Sequence, residues 1–526
     1  MSTKYIPLLT NDTTEDTTED ILPTSSLPKK QTNSSSSKIR KHVYLLIVFM
    51  IIVLYIFSDE LSSIFTDIIS CNKDTSGICL KYDNNNTDEI MGNINGTDPI
   101  IPTIDTPITI KPLEKFITYL PHSGFHNQRI AFENAVFLAW SLNRTLILPP
   151  ILLGKRIGYK EYDPLLQNLL RLKSDKSNLE QDCLKEHNDG KKSLESCIEF
   201  HKSYMLTTWN HLFDLSFIEK HIKIIYNHRV NISYIINDQL QINDDENDII
   251  YDKFYPGNHA FFEYSIPPEK IEPISDGRIL KYYILSDFKN QPQKLLVFNS
   301  LFGPGTIVRQ SEMSDRFFHD IQISLLPKNE IMKNVVKSIS DKMGGTFNYL
   351  SFHGRAGDGH YKVLADQRIA YVISNLKKDM PDFDNVNMSI FNNLTELERH
   401  ELCFKNLTLD KKLTKFSRFT RIYLASDIQK SSPPLQVVFQ TFPCTYMMSD
   451  FEQDLEPLKQ LINNVDGENM FNFVLPLVDL MVGSNARKVY TMGRSTFASY
   501  MLRYHHILEK EHGYKRLKRF IKLVKN

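Results

Sequence analysis

The chain has 526 residues, more than one ordinary domain holds, so its length points to two or three globular units. Its 62 lysines and arginines balance 62 aspartates and glutamates, which excludes a global field directed at nucleic acid. With 41% hydrophobic and 11% aromatic residues it can build a large core, which excludes a mainly disordered protein, and six cysteines are too few for a disulfide-built scaffold.

Residues 1–42 are rich in Ser, Thr and Asn and read as a disordered tail. The uncharged run Val43–Phe57 follows, preceded by Lys38, Arg40 and Lys41 and closed by Asp59 and Glu60. As a helix it would be roughly 22 Å long at 1.5 Å per residue, short of a hydrocarbon core of about 27 Å, and a snorkelling Lys41 makes up the difference. It has no polar stripe, as a core helix would, and no cleavage site follows it, as after a signal peptide. The run therefore reads as a single transmembrane anchor. The basic flank on its N-terminal side predicts a cytoplasmic tail and a lumenal body, a type II protein of the Golgi or endoplasmic reticulum membrane.

Beyond the anchor lie acceptor sequons at Asn85, Asn95, Asn143, Asn231, Asn387, Asn393 and Asn406, which suit a lumenal glycoprotein. Cys71 with Cys79, Cys183 with Cys197 and Cys403 with Cys444 are candidate pairs for an oxidising lumen, although free buried thiols fit the spacing as well. Residues 58–113 are irregular, with Pro99, Pro102, Pro107 and Pro112 in quick succession, and read as a stem.

The globular part opens on an apolar strand, Phe116–Leu120, a turn-rich stretch Pro121–His126, a helix Asn127–Leu142 and a second strand Thr145–Leu148 stopped by Pro149-Pro150. Strand, glycine turn, helix and strand form a βαβ unit with parallel strands. Lys155–Asp214, with Trp209-Asn210-His211, reads as variable loops of the kind that build acceptor grooves, and Gln241–Asp248 as a surface loop. Further strands are expected at Leu295–Phe298, Phe347–Phe352, Ile422–Ala425 and Val489–Thr491, with helices at Ile331–Met343 and from Thr496 to about Leu508. The alternation predicts an α/β fold in two Rossmann-like halves, 114–315 and 316–526, facing each other across a cleft.

Four strand-end motifs converge if that fold is right: Gly124-Phe125-His126-Asn127, His353-Gly354-Arg355 with Asp358, Ser426-Asp427, and Arg494-Ser495-Thr496-Phe497. A glycine turn and a Ser-Thr pair at helix N-termini offer N–H groups and hydroxyls to an anion, and an arginine supplies a planar bidentate fork for phosphate. Each motif alone has a blander reading: a turn glycine, a plain N-cap at Ser495-Thr496, a surface arginine. Together they suit a nucleoside diphosphate held without a metal. Asp382-Phe383-Asp384 and the acidic run Asp244–Asp248 read as solvated surface rather than a cation site.

The segments His122–Pro150, Phe352–Asp358 (FHGRAGD), Arg421–Asp427 (RIYLASD) and Val478–Arg503 resemble, in order and spacing, the motifs of the GDP-fucose protein O-fucosyltransferases and their plant and fungal relatives. The resemblance implies a GT-B-type fold, GDP-fucose as donor, a glycoprotein or glycan acceptor, inversion at the anomeric carbon, and no metal or other cofactor. It implies that Arg355 binds the β-phosphate and that Asn127 lies near donor and acceptor oxygens. His353 would line the nucleotide pocket, and Ser495, Thr496 and Phe497 would wrap the diphosphate with Gly124, Phe125, Asp358 and Asp427 around it. His126 is a candidate base. Asp479 falls on a recurring acidic position of structural character, and Ala486-Arg487 stands where an acidic base-reading residue is common. Two alternatives stay open: a transferase of another nucleotide sugar, or a catalytically silent glycan-binding protein on the same fold.

Overall fold

Parallel strands buried on both faces are rich in apolar residues, and the two central strands are so apart from one buried threonine each, Thr118 and Thr145. In the computed structural model these are β1 (Phe116–Tyr119) and β2 (Thr145–Leu148), each buried at every position. The structure describes residues 113–525 except 191–192, 256, 266–280, 304–305, 381–387, 392–393, 406–418 and 494. The expected tail, anchor and stem up to residue 112 lie outside the described residues, as do Cys71, Cys79, the sequons at Asn85, Asn95, Asn387, Asn393 and Asn406, the Asp382–Asp384 loop and Arg494. Among the described residues no helix is long and apolar enough to cross a membrane.

After β2 come a hairpin of β3 (Ile151–Gly154) and β4 (Tyr204–Thr207), then β5 (Ile224–Tyr226), β6 (Ile249–Asp252), β7 (His259–Phe262), β8 (Lys281–Ile284), β9 (Leu295–Phe298) and β10 (Ile307–Val308). The first large sheet is parallel, in the order β5-β2-β1-β9-β6. A small parallel sheet, β10-β7-β8, lies apart from it. The second large sheet uses β11 (Leu350–Gly354), β12 (Ile422–Ser426), β13 (Thr445–Tyr446) and β14 (Lys488–Thr491) in the parallel order β13-β12-β11-β14. In both sheets the chain reverses its direction of travel beside a central strand, β1 or β11, and a crevice opens there beyond the carboxyl ends. All described residues fall within one compact unit, and the helix Glu312–Ser324 runs across the expected boundary at 315/316.

The helix after β1, Phe125–Leu142, starts two residues before the expected Asn127 and ends on Asn143 in the left-handed conformation that closes many helices. It is buried on nearly every side, so its polar residues need partners inside. Gln128 pairs through both amide atoms with the backbone of Leu152, at 2.7 and 2.9 Å. Asn134 donates to the Leu301 carbonyl at 2.7 Å. Glu133, 1% exposed, accepts from Arg129 of its own helix and, at 2.6 Å, from Arg503 of the C-terminal helix Thr496–Lys525. That buried ion pair fastens the helix of the first sheet to the helix of the second.

Between β3 and β4, where the sequence suggested loops, stand helices Tyr162–Leu170, Leu179–Asn188 and Leu194–Lys202. Trp209 is core, 1% exposed and stacked on Phe132 at 4.5 Å, so it offers nothing to an acceptor. Cys183–Cys197 and Cys403–Cys444, two of the three candidate pairs, are disulfide-bonded. The β11 strand begins at Leu350 rather than Phe347, which has a positive φ of 62° and forms a turn instead. The C-terminal helix runs to Lys525, well past Leu508.

Candidate active site

The carboxyl ends of β1, β11, β12 and β14 open on a cleft of about 760 Å³. On the first-sheet side, Ser123 has φ 64° and its N–H donates to the Ile157 carbonyl, so the chain turns sharply into the helix at Phe125. That start places Asn127 in the first helical turn. Its amide nitrogen donates to the Tyr159 hydroxyl at 3.0 Å, and its oxygen accepts from the Thr496 hydroxyl at 2.8 Å. One asparagine thus spans both sides of the cleft.

On the second-sheet side, Arg355 leaves the end of β11 and closes its fork on Asp358. Nε donates to Oδ1 at 3.3 Å, and Nη2 donates to both oxygens at 3.0 and 3.2 Å. The guanidinium also lies 4.6 Å over the Tyr361 ring. Arg156, from the loop after β3, reaches the same carboxylate at 3.2 Å. Hydrogen bonding and charge from Arg355, with a smaller contribution from Arg156, hold the Asp358 carboxyl below the usual range. The two arginines converge on one anion, the geometry a diphosphate would use.

Asp427, at the end of β12, accepts from the N–H groups of Ala356 and Gly357 at 2.8 and 3.1 Å. The Ser426 hydroxyl donates to the Gly354 carbonyl at 2.6 Å. Both side chains brace the loop that carries Arg355. At Gly357 a Cβ would come within 2.9 Å of Asp427 Oδ2, so only glycine lets the carboxylate approach so closely.

Between these walls, Phe497 stacks on His353 at 4.5 Å and meets His126 edge-on at 5.1 Å. Burial, with Arg355 nearby, pushes the His353 imidazole down to about 3. Burial, Arg129 and His353 hold His126 well below its ordinary value. Both rings are neutral at physiological pH, and they form an aromatic wall rather than a charged one. His126 as a base would have to form an imidazolium in a buried site beside Arg129, which disfavours that expectation.

Ser495 is 4% exposed, and its hydroxyl accepts from the Ala498 N–H at 3.0 Å, so it caps the C-terminal helix instead of facing the cleft. Thr496 and Phe497 do line the cleft, with Gly124, Phe125, His353 and Asp427. Asp358 reaches the cleft only through its hold on the two arginines.

Sequence reasoning missed Arg156 and Tyr159, which the β3–β4 excursion brings back across the cleft and which no motif marks. It also set Asp479 aside as structural. Asp479 sits on the helix Phe471–Ser484, accepts from the Tyr423 hydroxyl at 2.6 Å, and faces both the cleft and a side pocket of about 450 Å³. Ala486 is core and Arg487 is exposed, and neither borders the cleft. Burial pushes the Asp479 carboxyl up to about 7, opposed by the Tyr423 hydrogen bond.

The folded chain therefore holds a proton that the unfolded chain releases between pH 4 and 7, and the charge costs stability increasingly as pH rises through that window. Asp479→Asn should stabilise the fold by roughly 2–4 kcal/mol at pH 8 and by almost nothing at pH 4. Urea unfolding at the two pH values reads this, and equal effects at both would show that the carboxylate is hydrated.

No family model matches the chain. A segment of 39 residues is 62% identical to part of O-fucosyltransferase 30 of Arabidopsis thaliana, covering 7% of this chain and 8% of that relative. The likeness is to fucosyltransferases. It agrees with the family that the four sequence blocks resemble. Among solved structures, POFUT1 in complex with GDP-fucose is 12% identical with a TM-score of 0.33, covering 74% of this chain and 94% of that one. The fucosyltransferase NodZ from Bradyrhizobium is 13% identical with a TM-score of 0.33, covering 74% and 92%. Overlap at that level leaves the chemistry to the side chains of the cleft itself.

Proposed function

We propose that the protein is an inverting, metal-independent glycosyltransferase of GT-B type that moves fucose from GDP-fucose to a hydroxyl of a protein or glycan. The observation that carries this reading is the Arg355 fork, which already holds a carboxylate at the end of β11 and has Arg156 beside it. Cleaving the sugar–phosphate bond puts negative charge on the departing nucleotide. A fixed fork stabilises that charge more in the transition state than in the ground state.

The partners of the cleft's carboxylates support a metal-free reading. Asp358 is engaged with arginines, Asp427 with backbone N–H groups and Asp479 with Tyr423. Arginine supplies the positive charge that a divalent ion would otherwise supply. In this reading the acceptor oxygen attacks the anomeric carbon directly and inverts it.

Two disulfides fit an oxidising compartment. Asn143 is an exposed sequon at a helix end, which suits glycosylation. With the apolar run Val43–Phe57, these features support a type II protein of the Golgi or endoplasmic reticulum membrane.

Calorimetric titration of the full chain with GDP-fucose, a UDP-sugar and a CMP-sugar, with and without EDTA, tests the reading. GDP-fucose should bind at least tenfold more tightly than the others, unchanged by EDTA. Preference for a UDP-sugar, or loss of binding in chelator, would contradict it.

A further inference from the structure

The first-sheet wall of the cleft also holds a hydrogen-bonded chain separate from the contacts of Arg355 and Arg156 with Asp358. His122 is 2% exposed; its Nδ1 lies 2.7 Å from the Ser123 hydroxyl and its Nε2 bonds the Ser300 hydroxyl. The Phe302 N–H donates to that same Ser300 oxygen at 3.0 Å. The Tyr159 ring stands edge-on to the imidazole at 5.3 Å, beyond the amide of Asn127.

Ser123 is unusual in its backbone. Of the described non-glycine residues with positive φ, it alone borders the cleft. A serine in that region costs about 1–3 kcal/mol, and such strain persists only where its surroundings enforce it. They do so here: its N–H is bonded to Ile157, and its carbonyl accepts from Gln128 at 3.2 Å. In this conformation the hydroxyl meets His122 Nδ1 and the Tyr159 side chain, on a residue that lines the cleft.

We propose that Ser123 and His122 form the proton relay that activates the attacking hydroxyl, with Ser123 Oγ touching the acceptor and Ser300 orienting the imidazole. This rests on the glycosyl-transfer reading above. His122 carries its proton on Nε2, donates it to Ser300 Oγ, and leaves Nδ1 open to accept from Ser123. As the acceptor oxygen bonds to the sugar's anomeric carbon, its proton passes to Ser123 Oγ and the Ser123 proton passes to His122 Nδ1. The bond from that carbon to the β-phosphate oxygen breaks, and its electron pair leaves with GDP. The imidazolium then returns its proton through Ser123 to solvent as products depart.

Burial pushes the His122 imidazole down to about 4, so it is neutral and able to accept at physiological pH. A weak base suffices, because an oxygen part-way into a glycosidic bond is strongly acidic. His122 differs from His126 in having no cation among the causes of its shift, and Ser300 is in place to share the imidazolium charge.

The test uses water as acceptor, so no acceptor need be identified. GDP-fucose hydrolysis at saturating donor, its solvent deuterium isotope effect, and the Kd for GDP-fucose are measured for the full chain and for Ser123→Ala, Ser123→Gly and His122→Gln. Ser123→Gly relieves the backbone strain and so guards against a folding failure. The relay predicts at least a 100-fold loss of kcat in each variant, Kd within threefold of wild type, and an isotope effect that falls toward unity. Variants that hydrolyse like wild type overturn the relay while leaving the donor site standing. Variants that lose donor binding as well overturn it too, because the two residues are then scaffolding. A wild-type chain that binds the donor without releasing fucose also overturns it. A wild-type chain that binds no GDP-fucose overturns the transferase reading itself.

Discussion

Arg355→Lys should lower the turnover of GDP-fucose by roughly 10²–10³, equivalent to about 2.7–4 kcal/mol of barrier. Lysine keeps the charge and loses the geometry. Here Nε and Nη2 act together on one carboxylate, and the flat guanidinium rests on Tyr361. An ammonium has one nitrogen and no plane to stack, so it meets one phosphate oxygen at a time. GDP affinity should fall much less than kcat, because the fork's benefit grows as charge develops on the leaving group. Release of GDP under saturating donor measures this, and turnover within threefold of wild type would remove Arg355 from the mechanism.

The largest expected stability effect lies away from the cleft. Glu133→Ala should cost about 3–5 kcal/mol, because it strands Arg129 inside the protein and releases Arg503 from its anchor. Arg129 is 1% exposed, and its guanidinium lies 4.6 Å over the Tyr500 ring, away from bulk water. The pair joins helices from both large sheets, so the variant should also loosen the cleft between them. Urea denaturation gives the loss directly, and a change below about 1 kcal/mol would mean that the site hydrates when emptied.

The sheets were legible in the sequence because a doubly buried parallel strand is a short, mostly apolar run. Leu295–Phe298 is wholly apolar, Phe116–Tyr119 and Thr145–Leu148 each carry one threonine, and the glycines and polar residues beyond the strand ends marked the cleft. Asn127, His353, Arg355, Asp427, Thr496 and Phe497 were found for that reason. Boundaries were harder. The helix at Phe125 begins without a side-chain cap, so nothing local announced it.

The segment after β3 read as loops because its helices are short and each buries few residues: Tyr162, Leu165 and Leu169 in one, Cys183 in the next. Arg156 and Tyr159 stayed hidden for a related cause. Their partners, Asp358 and Asn127, are remote in sequence, and only the folded hairpin brings them together. Asp479 lay inside an apolar helix, where spacing alone does not say which side a carboxylate faces. Ser495 was misplaced because a hydroxyl at a helix start suits an anion and a cap equally, and here it caps.

The central claim is that Arg355 exchanges the Asp358 carboxylate for the β-phosphate of a nucleotide sugar. A crystal structure of the full chain with GDP-fucose tests it most directly. The guanidinium should lie within hydrogen-bonding distance of the β-phosphate oxygens, with Asp358 displaced from its fork. A donor bound in the cleft while Arg355 stays closed on Asp358 would contradict the account.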